Sequence, residues 1–468
     1  MRGYTAALGA EIIPLKPMNL NPTPLEILIL LLVSLSIYAW MRHEAAIRRW
    51  WTELWKKRRG RRHLKPKSPE VCPRCRAWSH ILLGHGRRHA RAWQEVRSKS
   101  GRRKRVDTRG YACQNPGCEY YGVTDPAIHA LVSAGRRGVR GDILYLRCQA
   151  CGQRQTSRTD TPVKGLKTPL EQVRLVVMAL AEGLDLSAAS RIFRHHPTTI
   201  ARWVERCGAH GARLHEQVLF RVIEAGHVQL DELVTRVKNK TDRVFVWTAI
   251  AAHSKLVLGL HIGGRTLADA CTLVHQVMHT LAPGCLPVFT SDGLNHYFYA
   301  LTAHFGYWDK PPKARKHHWF PDPALLYGQL IKARSGYKLK FVSSIIQLGE
   351  RAAFRARLIA QGLSGKVQTS AIERNNLTLR ELVAPLSRRT WSMAHDILHL
   401  WLHTLWGVTY YNFIRVNMAL EVRVRGPSKH RLRTPAMAAG LTRRPWSVSD
   451  FLILPLPRRA WLSPLRVG

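Results

Sequence analysis

Residues 228–232 read Val-Gln-Leu-Asp-Glu and begin the part of the chain that decides the fold class. Apolar, strand-like segments follow at residues 244–251 and 256–262, then a helical pattern at residues 267–280. Another strand-like segment occupies residues 287–290. Because strands that alternate with helices in this way are typical of mixed domains, the sequence predicts an α/β fold for this region.

Two acidic positions coincide with the ends of these predicted strands. Asp231 and Glu232 end the first segment, and Asp292 follows the last one in the sequence Pro-Val-Phe-Thr-Ser-Asp-Gly. Since adjacent side chains of an extended strand face opposite ways, we expect only one of Asp231 and Glu232 to point into a shared site. These positions predict an acidic site at the ends of two strands.

A third acid stands in the motif Ser-Ala-Ile-Glu-Arg-Asn-Asn-Leu-Thr-Leu-Arg at residues 370–380. If this motif is helical, Glu373 and Arg380 lie two turns apart, about 10 Å along one face. Three carboxylates from separate elements can hold two divalent cations about 4 Å apart, the geometry used for in-line attack on a phosphodiester. The competing interpretation is a Ser-x-x-Glu capping box, in which Glu373 only satisfies a backbone donor at the helix start.

Together with Arg388-Arg389-Thr390, these motifs resemble those of DDE transposases of bacterial insertion sequences, closest to the insertion-sequence-one family. The resemblance spans residues 72–411. It implies a ribonuclease-H-like, integrase-like catalytic core, with the first two acids on neighbouring strands and the third on a later helix. The residues that it assigns to Mg²⁺ or Mn²⁺ are Asp231, Asp292 and Glu373, with Arg380 as the basic residue seven positions after the glutamate.

The chain departs from the family pattern at one place. After the second aspartate the family usually carries a second acid and a tryptophan, whereas this chain has Gly293 and Leu294. The departure affects the fine positioning of that loop and leaves the three acids in place.

The strongest compositional signal is the basic charge. The 468 residues include 73 Lys and Arg against 30 Asp and Glu, a formal net charge of +43. Such an excess predicts a polyanionic partner, with nucleic acid first and an anionic membrane surface second. The charge is densest at residues 56–62 and 102–105.

Six of the nine cysteines form close pairs, a pattern typical of metal ligands in a reducing compartment. We expect one structural zinc ribbon with four thiolate ligands. The remaining pair has His80 and His85 nearby and either forms a second zinc site or pairs with Cys113 and Cys118 in a different partition. The four ribbon ligands are Cys113, Cys118, Cys148 and Cys151, and the remaining pair is Cys72 and Cys75.

Three predicted helices form a helix-turn-helix pattern. The first follows Thr168, where Thr-Pro-Leu-Glu combines an N-cap, a proline and a capping glutamate, and the second covers residues 186–194. The third follows residues 195–199, and a recognition helix there would present Thr198, Thr199, Arg202 and Arg206 to the major groove. The competing interpretation is a helix pair that only packs against its neighbours.

Two further patterns have competing explanations. The apolar run at residues 27–40 is shorter than the ~20 residues of a typical membrane span, and it predicts either a membrane anchor or an interaction helix. His395, His399 and His403 recur every fourth residue among apolar side chains, which favours packing over metal binding.

We therefore expect a transposase that binds the terminal inverted repeats of its own element and its target DNA as a homo-oligomer in the cytoplasm or nucleoid. Membrane contact through the N-terminal segment is the alternative location. The rival functions are a catalytically inactive, transposase-derived, zinc-dependent DNA-binding protein and a membrane-tethered nucleic-acid-binding protein. The predicted domains are 1–66 (apolar helix and basic linker), 67–165 (zinc-binding region), 166–222 (helix-turn-helix), 223–390 (catalytic domain) and 391–468 (helical region and tail).

Overall fold

A computed structural model of the chain describes residues 111–456 with short gaps. The expectations for the apolar run at 27–40, both dense basic runs, and Cys72 and Cys75 fall outside the described residues. The gaps are at 116, 122, 124–129, 139–140, 142, 240, 312–314, 336–337, 389 and 424–429.

The described part begins with a small antiparallel sheet. Its strands are β1 (Leu131–Arg137), β2 (Ile143–Cys148) and β3 (Arg154–Thr156), in that order. This sheet has its own small apolar core, which includes Tyr120, Leu131 and Leu146. Three of the four predicted zinc ligands, Cys113, Cys118 and Cys148, are buried in that core.

Three helices follow where the sequence predicts them. They are α1 (Leu170–Ala181), α2 (Leu186–Phe193) and α3 (Pro197–Val218). The predicted cap at Thr168 is wrong, because the N-cap of α1 is Pro169, which has no side-chain cap bond. Asp185 caps α2 by accepting hydrogen bonds from two backbone N–H groups.

A six-stranded mixed sheet, the central sheet, is the largest sheet among the described residues. The chain forms strands β4 (His227–Arg236), β5 (Arg243–Ala251), β6 (Leu256–Gly263), β7 (Val288–Asp292), β8 (Gly306–Asp309), β9 (His318–Pro321), β10 (Leu326–Ser335) and β11 (Lys338–Leu348). Strands β8 and β9 form a separate hairpin, and the other six lie along the sheet in the order β11-β10-β7-β4-β5-β6. The contacts of β4 with β7 and of β7 with β10 are parallel, and the other three contacts are antiparallel.

Helices connect the strands and continue the chain beyond the sheet. Helix α4 (Leu267–Thr280) leads from β6 to β7, and α5 (His296–His304) follows β7 directly. The remaining elements are α6 (Arg351–Ile359), α7 (Ser370–Leu382), a 3₁₀ turn (Ala384–Leu386), α8 (Ile397–Phe413), β12 (Asn417–Arg423), β13 (His430–Arg433), α9 (Pro435–Ala438) and α10 (Val448–Ile453).

One apolar core joins the helices to the central sheet. It contains Val176 of α1, Trp203 of α3, Trp247 of β5, Trp406 of α8 and Phe451 of α10. The predicted boundaries near residues 222 and 390 therefore do not separate independent cores. Within the described residues no helix is long and apolar enough to cross a membrane.

Glycines on α3 allow α8 to approach closely. A Cβ atom at Gly208 would overlap the backbone carbonyl of Leu402, and one at Gly211 would overlap the side-chain hydroxyl of Thr409. Since backbone cannot rotate away as a side chain can, Gly208 is the more restrictive of the two. Close packing of α3 on α8 therefore requires a residue without a side chain at position 208.

Gly208→Ala should destabilise the protein by about 1–3 kcal/mol because the added methyl group overpacks the contact with Leu402. The sign of this change in stability is diagnostic, because replacing Gly by Ala in a helix without such a contact stabilises the helix by about 1 kcal/mol. Denaturant unfolding of the purified variant measures the effect. Ala209→Gly, at an exposed neighbouring position, should cost only about 1 kcal/mol. A Gly208→Ala protein that is as stable as the wild type would contradict the packing argument.

Candidate functional site

The first two acids of the predicted site lie on neighbouring parallel strands. Leu230 of β4 pairs with Ser291 of β7, so Asp231 and Asp292 are the next residues on each strand. In parallel strands at this register, side chains of equivalent residues leave the same face. One carboxylate oxygen from each of Asp231, Asp292 and Glu232 lies within 4.8 Å of the other two.

The expectation that only one of Asp231 and Glu232 reaches the site is wrong. The side chain of Glu232 is 4% exposed, and Arg265 donates two hydrogen bonds to its Oε1 atom, at 3.0 and 2.6 Å. The hydroxyl of Tyr297 donates to Oε2 at 3.1 Å. The alternation rule describes the Cβ direction only, and the longer glutamate side chain, held by these two donors, turns its carboxylate toward the two aspartates.

The third predicted acid lies beside this group. Glu373 is in the first turn of α7, and its side chain is 47% exposed. It accepts a hydrogen bond from the Thr369 hydroxyl at 2.7 Å and forms an ion pair with Lys332 of β10. Glu373 lies outside the group of oxygens within 4.8 Å, but its charge raises the pKa of both Asp231 and Asp292. It therefore borders the carboxylate group.

The capping-box interpretation of Glu373 is wrong. A box on Ser370 requires Ser370 to be the N-cap, whereas the N-cap of α7 is Thr369 and Ser370 is the first helical residue. The Thr369 side chain makes no cap bond to the helix backbone and donates to the Glu373 carboxylate instead. Glu373 is therefore not explained as a residue that only closes a helix end.

A buried glutamine holds the start of α7 on the central sheet. Gln229 of β4 accepts a hydrogen bond from the backbone N–H of Ile372 at 2.9 Å and donates to the carbonyl of Gln368 at 3.0 Å. Because Gln229 is two residues before Asp231 and Ile372 is adjacent to Glu373, these two bonds fix the helix-borne acid relative to the strand-borne acid.

Asn376 contacts the site directly, and the sequence interpretation missed it. Its amide group donates to Asp231 Oδ2 at 2.7 Å, and its oxygen accepts from the Thr248 hydroxyl at 3.1 Å. The signal was present in the motif, because Asn376 is three residues after Glu373 and therefore on the same helix face. No sequence pattern linked the site to Lys332, Arg265 and Tyr297, because these residues lie outside α7.

Arg380 contacts backbone rather than carboxylates. Its guanidinium donates to the carbonyls of Leu386 at 2.8 Å and Val234 at 3.1 Å. Burial lowers its pKa, and the neighbouring Arg388 adds to that effect. Arg380 thus ties the end of α7 to the 3₁₀ turn and to β4, and its contribution to chemistry stays a prediction.

Burial and mutual repulsion govern the electrostatics of the carboxylates. Burial raises the pKa of Asp231 to about 7, and the charges of Asp292 and Glu232 add to the shift. Burial also raises the pKa of Asp292 and of Glu232. Close oxygen ligands that repel one another are the donor set that hard divalent cations prefer. Asp231, Glu232 and Asp292 could therefore hold a divalent cation, with Glu373 at the border, and its identity as Mg²⁺ or Mn²⁺ stays a prediction.

The four predicted zinc ligands are brought together. The Cys113 and Cys151 sulfurs are 3.6 Å apart, and those of Cys118 and Cys148 are 3.8 Å apart. All four lie within 4.8 Å of one another. Tetrahedral Zn–S bonds of about 2.3 Å place sulfurs about 3.8 Å apart. The group could therefore hold a structural zinc ion.

The residues predicted to read DNA lie on α3. Thr198 and Arg202 are exposed and Thr199 is half-buried. Arg206 is exposed, but its guanidinium donates to the carbonyls of Pro162 and Lys164, at 3.3 and 2.7 Å. Arg206 therefore holds the loop before α1 against α3, and a role of all four residues in DNA recognition stays a prediction.

The histidine stripe at 395–403 does not lie on one helix. His395 precedes α8, which begins at Ile397. His399 contacts the Glu205 carboxylate at 3.3 Å, and burial lowers the pKa of His403 to about 3. The latter two histidines therefore take part in packing between α8 and its neighbours.

A comparison with protein-family models finds no match for this chain, and none of the curated proteins matches it either. The functional argument therefore rests on the arrangement of the residues themselves.

Cation binding should release protons from the site. With a pKa of about 7, Asp231 is about half protonated at pH 7, and a bound cation requires the carboxylate form. Calorimetric Mg²⁺ titrations in buffers of different ionisation enthalpy should therefore report release of about half a proton at pH 7 and much less at pH 8.5. Heats that do not depend on the buffer would contradict this.

The same pKa sets a pH dependence of folding without the cation. A carboxyl group whose pKa is raised in the folded state stabilises the fold below its unfolded value, near 4, and loses that stabilisation as the pH rises through about 7. Asp231→Asn should remove this dependence and the proton release together. Asp242→Asn, an exposed acid after the same strand, is the matched control and should change neither.

Loss of two zinc ligands should unfold the small sheet. The double change Cys148→Ser and Cys151→Ser should lower the zinc content of the purified protein by about one equivalent, because the four thiolates act together. Metal analysis in reducing buffer measures this. Cys285→Ser, which alters a half-buried cysteine elsewhere, should keep the zinc content unchanged. An unaltered zinc content in the double variant would contradict the assignment.

Proposed function

We propose that this protein is a DDE transposase that binds the ends of an insertion sequence and catalyses metal-dependent strand cleavage and strand transfer. The observation that carries the proposal is the placement of the acids. Asp231 and Asp292 lie side by side on neighbouring parallel strands, and Glu373 borders them from the first turn of a later helix. That is the arrangement implied by the motif resemblance.

The order of the strands supports a ribonuclease-H-like core. The first strand, β4, lies at the centre; on one side β5 pairs with it antiparallel, and β6 pairs antiparallel with β5. On the other side β7 and β10 run parallel to β4. Helix α4 makes the crossover between these halves. Asp231 lies on β4 and Asp292 on β7, the two central strands of this sheet.

Each polar residue has a role that follows from its contacts. Bound Mg²⁺ or Mn²⁺ would polarise the scissile phosphodiester and lower the pKa of the attacking hydroxyl. Asp231, Asp292 and Glu373 would hold the ions through their oxygens, with Glu232 as a further carboxylate beside the two aspartates. Asn376 orients Asp231 through its 2.7 Å hydrogen bond. Lys332 balances the charge of Glu373, and its positive charge partly offsets the burial that raises the pKa of Asp292.

The composition supports DNA as the partner. A net charge of +43 favours a polyanion and predicts strongly salt-dependent binding. The β8–β9 hairpin adds aromatic surface to this charge, since Tyr307 and Trp308 are 47% and 57% exposed. Exposed aromatic rings beside basic residues such as Lys310 and Lys316 are suited to nucleic-acid contact.

One observation favours the second candidate, a catalytically inactive DNA-binding protein derived from a transposase. Glu373 is engaged with Lys332 and lies outside the group formed by Asp231, Glu232 and Asp292. In that interpretation the ion pair is permanent and the third acid never reaches a cation. The two candidates differ only in whether DNA that is bound is also cleaved.

Replacing an acid by its amide keeps its shape and removes its charge. Asp231→Asn, Asp292→Asn and Glu373→Gln should each lower Mg²⁺- or Mn²⁺-dependent cleavage and joining by about 100-fold or more. Binding to DNA that carries the terminal repeats flanking the gene should persist. Electrophoretic cleavage and mobility-shift assays on the same DNA measure the two steps.

Glu381→Gln is the matched control, because it makes the same change on α7 at an exposed position that pairs with Arg415. It should leave cleavage unchanged. Arg380→Ala should lower cleavage in proportion to its loss of stability, since its contacts are structural. A wild-type chain that binds these ends and never cleaves them would establish the inactive candidate, and a fully active Glu373→Gln protein would exclude the triad.

A further inference from the structure

Two histidines on α4 face each other one turn apart. His275 and His279 have ring centroids 4.4 Å apart, and their Nε2 atoms are separated by 3.0 Å. Histidines at positions i and i+4 of a helix project from one face and form a common bidentate metal site. Tetrahedral Zn–N bonds of about 2.0–2.1 Å place ligand nitrogens about 3.3 Å apart, close to the observed separation.

A third histidine approaches the pair from the next helix. His304 is the last residue of α5, and its ring centroid is 5.6 Å from that of His275. Its Nδ1 atom lies 2.8 Å from the carbonyl oxygen of Ala300. Because a carbonyl only accepts, Nδ1 carries the proton and Nε2 keeps its lone pair. A ring N–H donated to a backbone carbonyl is the usual support of a metal-binding histidine.

The surroundings keep these rings neutral. Burial lowers the pKa of His275 to about 4, and the neighbouring His279 and His304 add to the effect. Burial also lowers the pKa of His279 and of His304. Neutral imidazoles are the form that binds metal, so protons compete little at neutral pH.

We propose that His275, His279 and His304 form a binding site for a divalent transition-metal ion of the zinc class, separate from the carboxylate group and from the four cysteines. Imidazole nitrogens favour Zn²⁺, Co²⁺, Ni²⁺ or Cu²⁺ over Mg²⁺. The three nitrogens are spread more widely than the ligand atoms of the other two groups. Coordination therefore requires the rings to rotate toward one another.

Such an ion would join α4 to α5. Helix α5 begins four residues after Asp292, and its Tyr297 donates a hydrogen bond to Glu232. The ion would thus bind the C-terminal end of α5, while the first turn of the same helix contacts the carboxylate group through Tyr297. The positive charge of Arg221 opposes a cation at His279, whose pKa is lowered first by burial and then by this charge. Removing the charge should therefore strengthen cation binding if the ion lies beside His279.

The test is equilibrium dialysis of the full-length protein against Co²⁺ at pH 7.5, after exhaustive dialysis into zinc-free buffer. Four thiolates hold zinc more tightly than three imidazoles, so this step empties the histidine site while zinc at the four cysteines is kept, and added Co²⁺ reports the histidine site. His275→Gln, His279→Gln and His304→Gln should each weaken binding of about one Co²⁺ equivalent by about tenfold or more. Circular dichroism confirms that each variant is folded.

Two further variants test the location of the ion. His253→Gln alters an exposed histidine outside the cluster and should leave Co²⁺ binding unchanged. Arg221→Gln removes the nearby positive charge and should tighten binding several-fold. Equal Co²⁺ binding by the wild type and all three cluster variants would overturn the proposal, as would equal losses in the cluster variants and His253→Gln. No readout depends on DNA cleavage, so failure here leaves the proposed function untouched.

Discussion

Mutual repulsion among three half-buried carboxylates is the constraint on which the arrangement of the central sheet depends. Asp231, Glu232 and Asp292 place oxygens within 4.8 Å of one another, and burial raises the pKa of each. Such a group persists only if the surrounding structure holds it, since separating the charges would lower its energy. Parallel pairing of β4 with β7 and the donors Arg265 and Tyr297 provide that support.

The same constraint explains why α7 is attached to the sheet by polar side chains. Gln229 binds the backbone at the start of the helix, and Asn376 binds Asp231 from within it. Thr248 completes the chain of hydrogen bonds by donating to Asn376. Buried amides that are satisfied in this way define a single position for the helix, because any shift leaves unpaired polar groups. Glu373 is therefore placed by its neighbours on both sides.

The helices before the sheet belong to the same folding unit as the sheet. Helix α3 packs against α8 where Gly208 meets the backbone of Leu402, and these two residues are more than 190 positions apart in the chain. Trp406 of α8 donates a hydrogen bond to the carbonyl of Val177 in α1. An isolated fragment of the first three helices would expose this apolar surface to water. Recognition and catalysis, if both occur here, are therefore built on one shared core.

The sequence by itself determined the elements whose signals are local. Apolar periodicity located β4, β5, β6, α4 and β7 to within a few residues, and cysteine spacing identified the four clustered thiols. Local patterns also placed Asp292 at the end of a strand and Glu373 in a helix. The expectation that Asp231 ends its strand is wrong, because β4 continues to Arg236. These inferences hold because helix and strand periods are properties of neighbouring residues.

Only the tertiary structure decided which residues meet. The interval after residue 295 supplies β10 and β11 to the central sheet, and its mixture of basic and aromatic residues carried no clear strand period. Lys332 reaches Glu373, and Arg380 turns to backbone carbonyls, because contacts between elements depend on sheet order rather than on spacing. Likewise, Glu232 joins the acids because a long side chain and its donors can override the alternation of a strand.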